Sequence, residues 1–207
     1  MNDLINRITT LKNSDIGKLI DSRVQEFKAI DKNSNDELFK ELCFCILTAN
    51  FNAEKSIKIQ KEIGKCFLTD SKDVLTQKLR EGGHRFPNTR ANYISESIKC
   101  KDSLGEIVKI HNGNALRDWI VENVKGLGYK EASHFLRNVG FDDYAIIDFH
   151  IVDLLVDYKL IEKPKTITKR KYMLIENLLK KLARKTGLTL AELDLYLWYM
   201  ETGKILK

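Results

Sequence analysis

The sequence predicts an all-α protein, and three observations carry that expectation. Only two prolines, Pro87 and Pro164, interrupt its 207 residues. The apolar residues between interruptions recur mostly at intervals of three and four, which is the helical period. Polar residues suited to helix starts precede several of these runs. Ile16, Leu19, Ile20, Val24, Phe27 and Ile30 form a first stripe, with Ser14 or Asp15 as its N-cap. Ser34 and Glu37 have capping-box spacing and open a second helix through Leu38, Leu42, Cys45 and Ile46. Asn52 caps a third, carrying Ala53, Ile57 and Ile63 before Gly64. Residues 80–90, with two glycines and a proline, read as a connection, after which Ala91, Tyr93, Ile94 and Ile98 resume the helical pattern. Later stripes run through Leu116, Trp119, Ile120 and Val124, then Ala132, Phe135 and Leu136, then Tyr172, Ile175, Leu179 and Leu182. Thr189 and Glu192 start the last helix with a second capping-box pair; Leu193, Tyr196, Leu197 and Met200 follow, and Gly203 stops it.

Composition narrows the function classes. With 43% hydrophobic and 31% charged residues, the chain has the apolar mass for a real core in one domain or two small lobes. No run of 18 apolar residues exists, and the first fifteen residues alternate polar and apolar side chains instead of building a signal-peptide core, so a cytoplasmic protein is expected. Cys43, Cys45, Cys66 and Cys100 form no CxxC pair and lie near none of the four histidines, which argues against a zinc or iron–sulfur site. Cys43 and Cys45 read as buried reduced thiols. The net charge of +6 permits nucleic-acid binding without requiring it. Ten Lys or Arg stand against two Glu in residues 159–185; a solvated helix face and a phosphate-facing surface are equally open readings.

The informative segment is residues 115–140, ALRDWIVENVKGLGYKEASHFLRNVG. Two short amphipathic helices are joined by Lys125-Gly126-Leu127-Gly128, with Val124 and Leu127 turning inward. Glycines in such a turn serve as a helix end and a tight bend. In a nucleic-acid hairpin they also leave backbone N–H groups at the start of the next helix open to a phosphate, an anion site that reads no bases. Lys130 lies in the first turn of that helix. Taken alone it is an exposed helix lysine, as Asp148 alone is an N-cap before His150 and the apolar run that follows.

VKGLGYKEA resembles the hairpin of the helix-hairpin-helix DNA glycosylase superfamily, in which a catalytic lysine stands two positions after the second glycine. Gly126, Gly128 and Lys130 occupy those places, with Lys125 in place of a frequent proline. The superfamily's essential aspartate follows some eighteen residues on; here Ile146-Ile147-Asp148-Phe149-His150 supplies it, 18 residues after Lys130 (148 − 130). The chemistry such residues perform is general. A lysine amine, ordinarily of pKa near 10.4, needs burial and the positive end of a helix to attack as a neutral nucleophile. A carboxylate facing the sugar stabilises positive charge at C1′. Amine attack leaves a Schiff base that acidifies the C2′ proton and permits β-elimination, so a lysine implies both glycosylase and lyase activity. Capping and catalysis by Asp148 are compatible.

No cysteine follows Cys100, so the four-cysteine cluster of endonuclease III-like relatives is absent, while the lysine that adenine and alkylbase glycosylases generally lack is present. The whole pattern is similar to the short archaeal type of 8-oxoguanine DNA glycosylase/AP lyase. That resemblance implies two helical lobes with the active-site cleft between them: residues 32–142, ending in the hairpin, and a discontinuous lobe of residues 1–31 and 143–207. It places Lys130 and Asp148 across the seam. It also implies that Lys207 helps tell 8-oxoguanine from guanine, that Asn50 fills the vacated base stack, and that His150 lies near the lesion phosphate. Phe86 and Trp198 are pocket residues or simply core, and Arg80, Arg85 and Arg90 could reach the DNA backbone. The implied partner is double-stranded DNA with a flipped damaged base, bound by a monomer. No cofactor is required for the chemistry, and a monovalent cation on hairpin carbonyls is possible. The rival readings are a glycosylase for oxidised pyrimidines and a non-catalytic hairpin that clamps DNA.

Overall fold

The computed structural model describes residues 1–207 and is built of helices alone. The helices are α1 (Asn2–Lys12), α2 (Asp15–Lys28), α3 (Asn35–Thr48), α4 (Ala53–Ile63), α5 (Lys72–Glu81), α6 (Pro87–Ser97), α7 (Leu104–Ile110), α8 (Gly113–Asn123), α9 (Tyr129–Asn138), α10 (Phe149–Asp157), α11 (Lys169–Thr186) and α12 (Leu190–Thr202), with 3-10 segments at Gly64–Leu68 and Ile98–Ser103. No helix is long and apolar enough to cross a membrane. The chain divides into a central unit, Ile30–Val139 with Lys207, and a discontinuous unit, Met1–Ala29 with Gly140–Leu206. The resemblance placed the boundaries after residues 31 and 142, with Lys207 in the discontinuous unit; residues 30–31 and Lys207 instead fall in the central unit, and residues 140–142 in the discontinuous one.

The central unit is organised around α3. Every residue from Leu38 to Thr48 except Lys40 is buried. A helix apolar on all sides must be surrounded, and α4, α6, α7 and α9 pack on it. Its start is set by Ser34 Oγ, which accepts the Glu37 N–H at 3.3 Å, and Asn52 Oδ1 does the same for Lys55 on α4 at 2.9 Å. Three expectations need correction here. The connection at residues 80–90 shrinks to 82–86, because α5 runs to Glu81 and Pro87 opens α6 at its first position, where the missing N–H costs nothing. On α4 the buried side chains are Ser56 and Ile59, with Ala53, Ile57 and Ile63 only partly covered. Ile98 is 40% exposed because α6 ends at Ser97 and the tighter 3-10 segment rotates the face.

In the discontinuous unit α2 packs on α12, and α1 on α2 and α11. Ser14 is the α2 cap, its Oγ accepting the Ile16 N–H at 3.2 Å. The α2 seam is Ile20, Val24 and Phe27; Leu19, one position off it, is 56% exposed. The Thr189–Glu192 capping box forms in full, with Thr189 N to Glu192 Oε2 at 2.6 Å and Glu192 N to Thr189 Oγ1 at 3.2 Å. Gly203 ends α12 at φ 70°. Lys12 Nζ reaches the Thr186 and Gly187 carbonyls at 3.2 and 3.3 Å, satisfying the C-terminus of α11.

Candidate active site

The hairpin of the central unit joins α8 to α9 through residues 124–128. Val124 and Leu127 are buried, and the Leu127 N–H donates to the Val124 carbonyl at 3.3 Å. Gly126 has φ +89°, and a Cβ there would stand 2.2 Å from the Tyr93 ring, so both conformation and packing demand glycine. Gly128 differs. Its backbone is extended, at φ −95° and ψ −170°, and a Cβ would meet only Glu131 Oε2 at 3.4 Å. The Gly128 N–H is also engaged, donating to Glu131 Oε2 at 3.3 Å. The expectation that the turn leaves its amides open is therefore corrected at this position: a glutamate at the third helical position back-bonds to the cap. An anion arriving at the start of α9 competes with that carboxylate.

Lys130 is the second residue of α9, its side chain 25% exposed, with Nζ 4.0 Å from Glu131 Oε1. What holds this helix start is a group that sequence reasoning missed. Arg117, fully buried on α8, places its guanidinium 5.2 Å from the Tyr129 ring and donates to Ser133 Oγ at 3.2 Å and Asn114 Oδ1 at 2.9 Å. The Tyr129 hydroxyl donates in turn to Asp118. Aromatic and charged contacts from α8 thereby fix Tyr129, directly before Lys130, and Ser133, one turn further along α9.

Asp148, in the discontinuous unit, caps α10. Its Oδ1 accepts the Ile151 N–H at 3.0 Å, and the side chain is half-buried. The strap before it is pinned to α11: Ala145 N donates to Glu176 Oε2 at 3.2 Å, Ile147 N to the Tyr172 hydroxyl at 3.3 Å, and that hydroxyl to the Ala145 carbonyl at 2.7 Å. Exposed His150 meets Trp198 edge-on, ring centroids 5.0 Å apart. Trp198 is half-buried, not core, and its buried Nε1–H has no hydrogen-bond partner.

The remaining inferred residues lie in the central unit. Asn50 is exposed just past α3 in the left-handed region, φ 54°, a conformation that asparagine tolerates better than most side chains. Phe86 is half-buried, with the Arg85 and Arg90 guanidinium groups 5.0 and 5.7 Å from its ring centroid. Arg85 is exposed, and Arg80, also exposed, donates to Asn88 Oδ1 at 3.2 Å. Arg90 is not available to phosphate: it is buried and donates to the Ala49 carbonyl, an acceptor left open at the end of α3. His84 fixes the same helix end. Its Nδ1 accepts the Phe86 N–H at 3.0 Å, so Nε2 carries the proton and donates to the Leu47 carbonyl at 3.0 Å. Burial lowers the His84 pKa, against the opposing effect of that carbonyl.

Lys207 is not a solvated tail. Its Nζ lies 2.6 Å from Glu41 Oε1 and 4.5 Å from the Phe44 ring centroid. Nearby His134 is buried with both ring nitrogens lacking a hydrogen bond; the Lys207 backbone approaches the ring without reaching hydrogen-bond geometry. Burial, then the charges of Arg137 and Lys130, hold its pKa well below the usual imidazole range. Glu41 left one signal in the sequence, a titratable residue at helical spacing from Leu38 and Cys45 within an apolar stripe, whereas His134 stands between Lys130 and Asn138 and left none.

The family model described as 8-oxoguanine DNA glycosylase matches residues 20–188. This chain belongs to that family. The 8-oxoguanine DNA glycosylase/AP lyase of Methanocaldococcus jannaschii is 53% identical over 205 residues, covering 99% of each chain, and that of Korarchaeum cryptofilum is 49% identical, covering 100% of this chain and 99% of the relative. Among solved family structures, the M. jannaschii glycosylase/lyase in complex with a 15mer DNA containing 8-oxoguanine superposes with a TM-score of 0.95 over 99% of both chains. The 8-oxoguanine DNA glycosylase of Thermotoga maritima, 41% identical, gives 0.94 over 100% of this chain and 99% of its own.

Proposed function

We propose that this family member is a bifunctional DNA glycosylase and AP lyase of base excision repair that removes 8-oxoguanine from double-stranded DNA. It works as a monomer on DNA of the cytoplasmic nucleoid. The observation that carries the reading is Lys130 in the first turn of α9, directly behind the Gly126–Gly128 hairpin, in a chain similar over its whole length to relatives named for that activity.

Lys130 Nζ attacks C1′ as the neutral amine, and the glycosidic bond breaks with its electron pair leaving on the base. The proton shed by the new C1′ amine balances that charge. Asp148 stabilises the positive charge that builds at C1′; its Oδ1 is engaged by Ile151 N–H, which leaves Oδ2 to face the sugar. Opening of the sugar ring gives the Schiff base, loss of the C2′ proton expels the 3′ phosphate, and water releases the lysine. Gly126 and Gly128 bring the backbone near a phosphate, with Arg85 and His150 as further backbone contacts. Asn50 enters the vacated stack, while Phe86 and Trp198 receive the flipped base and Lys207 contributes to its recognition. A monovalent cation on turn carbonyls would act on hairpin structure only, since Val124 O already accepts within the turn and no step above uses it.

Borohydride trapping tests this directly. Wild type should form a covalent adduct on a duplex with one 8-oxoguanine and not on undamaged DNA; Lys130→Gln should bind the lesion duplex without adduct or cleavage. Retention of cleavage by Lys130→Gln would reject the nucleophile, and trapping on a thymine glycol duplex alone would overturn the substrate.

A further inference from the structure

Glu41 is a carboxylate where the helical pattern calls for an apolar side chain. It lies on α3, 8% exposed, between Leu38 and Leu42. A carboxylate withdrawn from water requires hydrogen bonds and a counter-charge. Three donors meet it. Gln60 Nε2 on α4 and Lys207 Nζ approach Oε1 at 2.9 and 2.6 Å, and Asn138 Nδ2 on α9 approaches Oε2 at 3.2 Å. Both amides are themselves tied. Gln60 Nε2 also donates to the Lys40 carbonyl at 3.1 Å, and Asn138 Oδ1 accepts Arg137 Nε and Nη2 at 3.2 and 3.0 Å. Two amides thus hold the carboxylate alongside Lys207, which is its ion-pair partner.

The clamp faces the nucleophile's helix. Asn138, His134 and Lys130 follow one another at intervals of four on α9 and share one stripe. The buried Cys45 thiol, pushed up by burial and by Glu41, is pulled back by Lys130 and then Lys207, so both lysines lie within electrostatic reach of one point on α3. The residues just before Lys207 follow the left-handed Gly203 and form no helix. Such an end needs a tether to hold one position.

We propose that Glu41 is a positioning residue for substrate discrimination: it fixes Lys207 against α3, on the side of α9 that carries Lys130, so that 8-oxoguanine is preferred over guanine. This rests on the reading that Lys207 takes part in recognition. The pair acts through geometry, because a desolvated ion pair contributes little net stability.

The test is the ratio of single-turnover excision rates on duplexes carrying 8-oxoguanine or guanine at one position, for wild type, Glu41→Gln, Glu41→Asp, Lys207→Ala and the Glu41→Gln/Lys207→Ala double variant, with Tm measured on each. Glu41→Gln should lower the ratio by about tenfold, the scale of one charge-assisted hydrogen bond. Glu41→Asp should recover part of it, and the double variant should match Lys207→Ala. If Lys207→Ala lowers the ratio and Glu41→Gln does not, or if the two effects multiply in the double variant, the positioning role is overturned. An unchanged ratio in Lys207→Ala would instead overturn the recognition reading beneath it. A fall in Tm with equal loss on both duplexes would mark Glu41 as structural only and also overturn the proposal.

Discussion

Asp148 has two tasks that substitution can separate, because asparagine caps helices as well as aspartate but carries no charge. Asp148→Asn should keep Tm within about 2 °C while slowing 8-oxoguanine excision by roughly 10²–10³-fold, the scale of one electrostatic interaction removed from a transition state. Asp148→Ala should lose the rate and also about 1 kcal/mol of stability measured by urea melts. The hairpin glycines separate in the same way. Gly126→Ala meets both a left-handed backbone and the Tyr93 ring, and should destabilise by about 1–3 kcal/mol. Gly128→Ala meets neither, and its stability should stay within about 0.5 kcal/mol. Equal Tm losses in the two alanine variants would contradict this division. Sequence spacing marked both glycines alike; φ and the neighbouring ring distinguish them.

Among elements, those with polar start signals were legible at their boundaries. Ser34, Asn52 and Thr189 each accept the backbone N–H they were expected to accept, because a cap is local chemistry within three residues. The helix α1 was not distinguished, since it starts at Met1 with no side-chain cap, although it buries Leu4 and Ile8 on one face. The α8–α9 hairpin was legible as a motif, but its support was not: Arg117 reads in sequence as one more surface base, and its burial depends on Tyr129, Ser133 and Asn114 closing around it. Arg117→Ala should therefore lower stability by about 2–5 kcal/mol, as removal of a large buried side chain does, and reduce trapping at Lys130 in proportion to disorder at the start of α9. Loss of trapping with an unaltered urea midpoint would assign Arg117 a direct role instead.

At the scale of the whole molecule, charge and pH report on different parts. The bases of residues 159–185 include Lys181, Arg184 and Lys185, exposed on α11 opposite its buried Tyr172, Ile175, Leu179 and Leu182. If they face phosphate, removing Lys181 and Arg184 should flatten the dependence of log K on log salt by about 0.9 for each phosphate they neutralise; an unchanged slope assigns them to solvent. His134 stays neutral in the fold because burial disfavours its charge, whereas in the unfolded chain it takes up a proton near pH 6.5. Below that pH the unfolded state binds the extra proton, so stability falls on acidification by up to about 1.4 kcal/mol per pH unit for this one residue. Urea melts between pH 7.5 and 5.5 should show that fall, with a shallower slope in His134→Leu. The sequence alone determined the helical class, the hairpin and the Lys130–Asp148 spacing, since these follow from periodicity, caps and short motifs that act within a few tens of residues. Only the tertiary structure decided that Lys207 joins the central unit on Glu41, that Arg90 serves the end of α3, and that Glu131 occupies the hairpin amide. Each of these depends on a buried charge or an open backbone group finding its partner, and all but the last of those partners lie more than forty residues away.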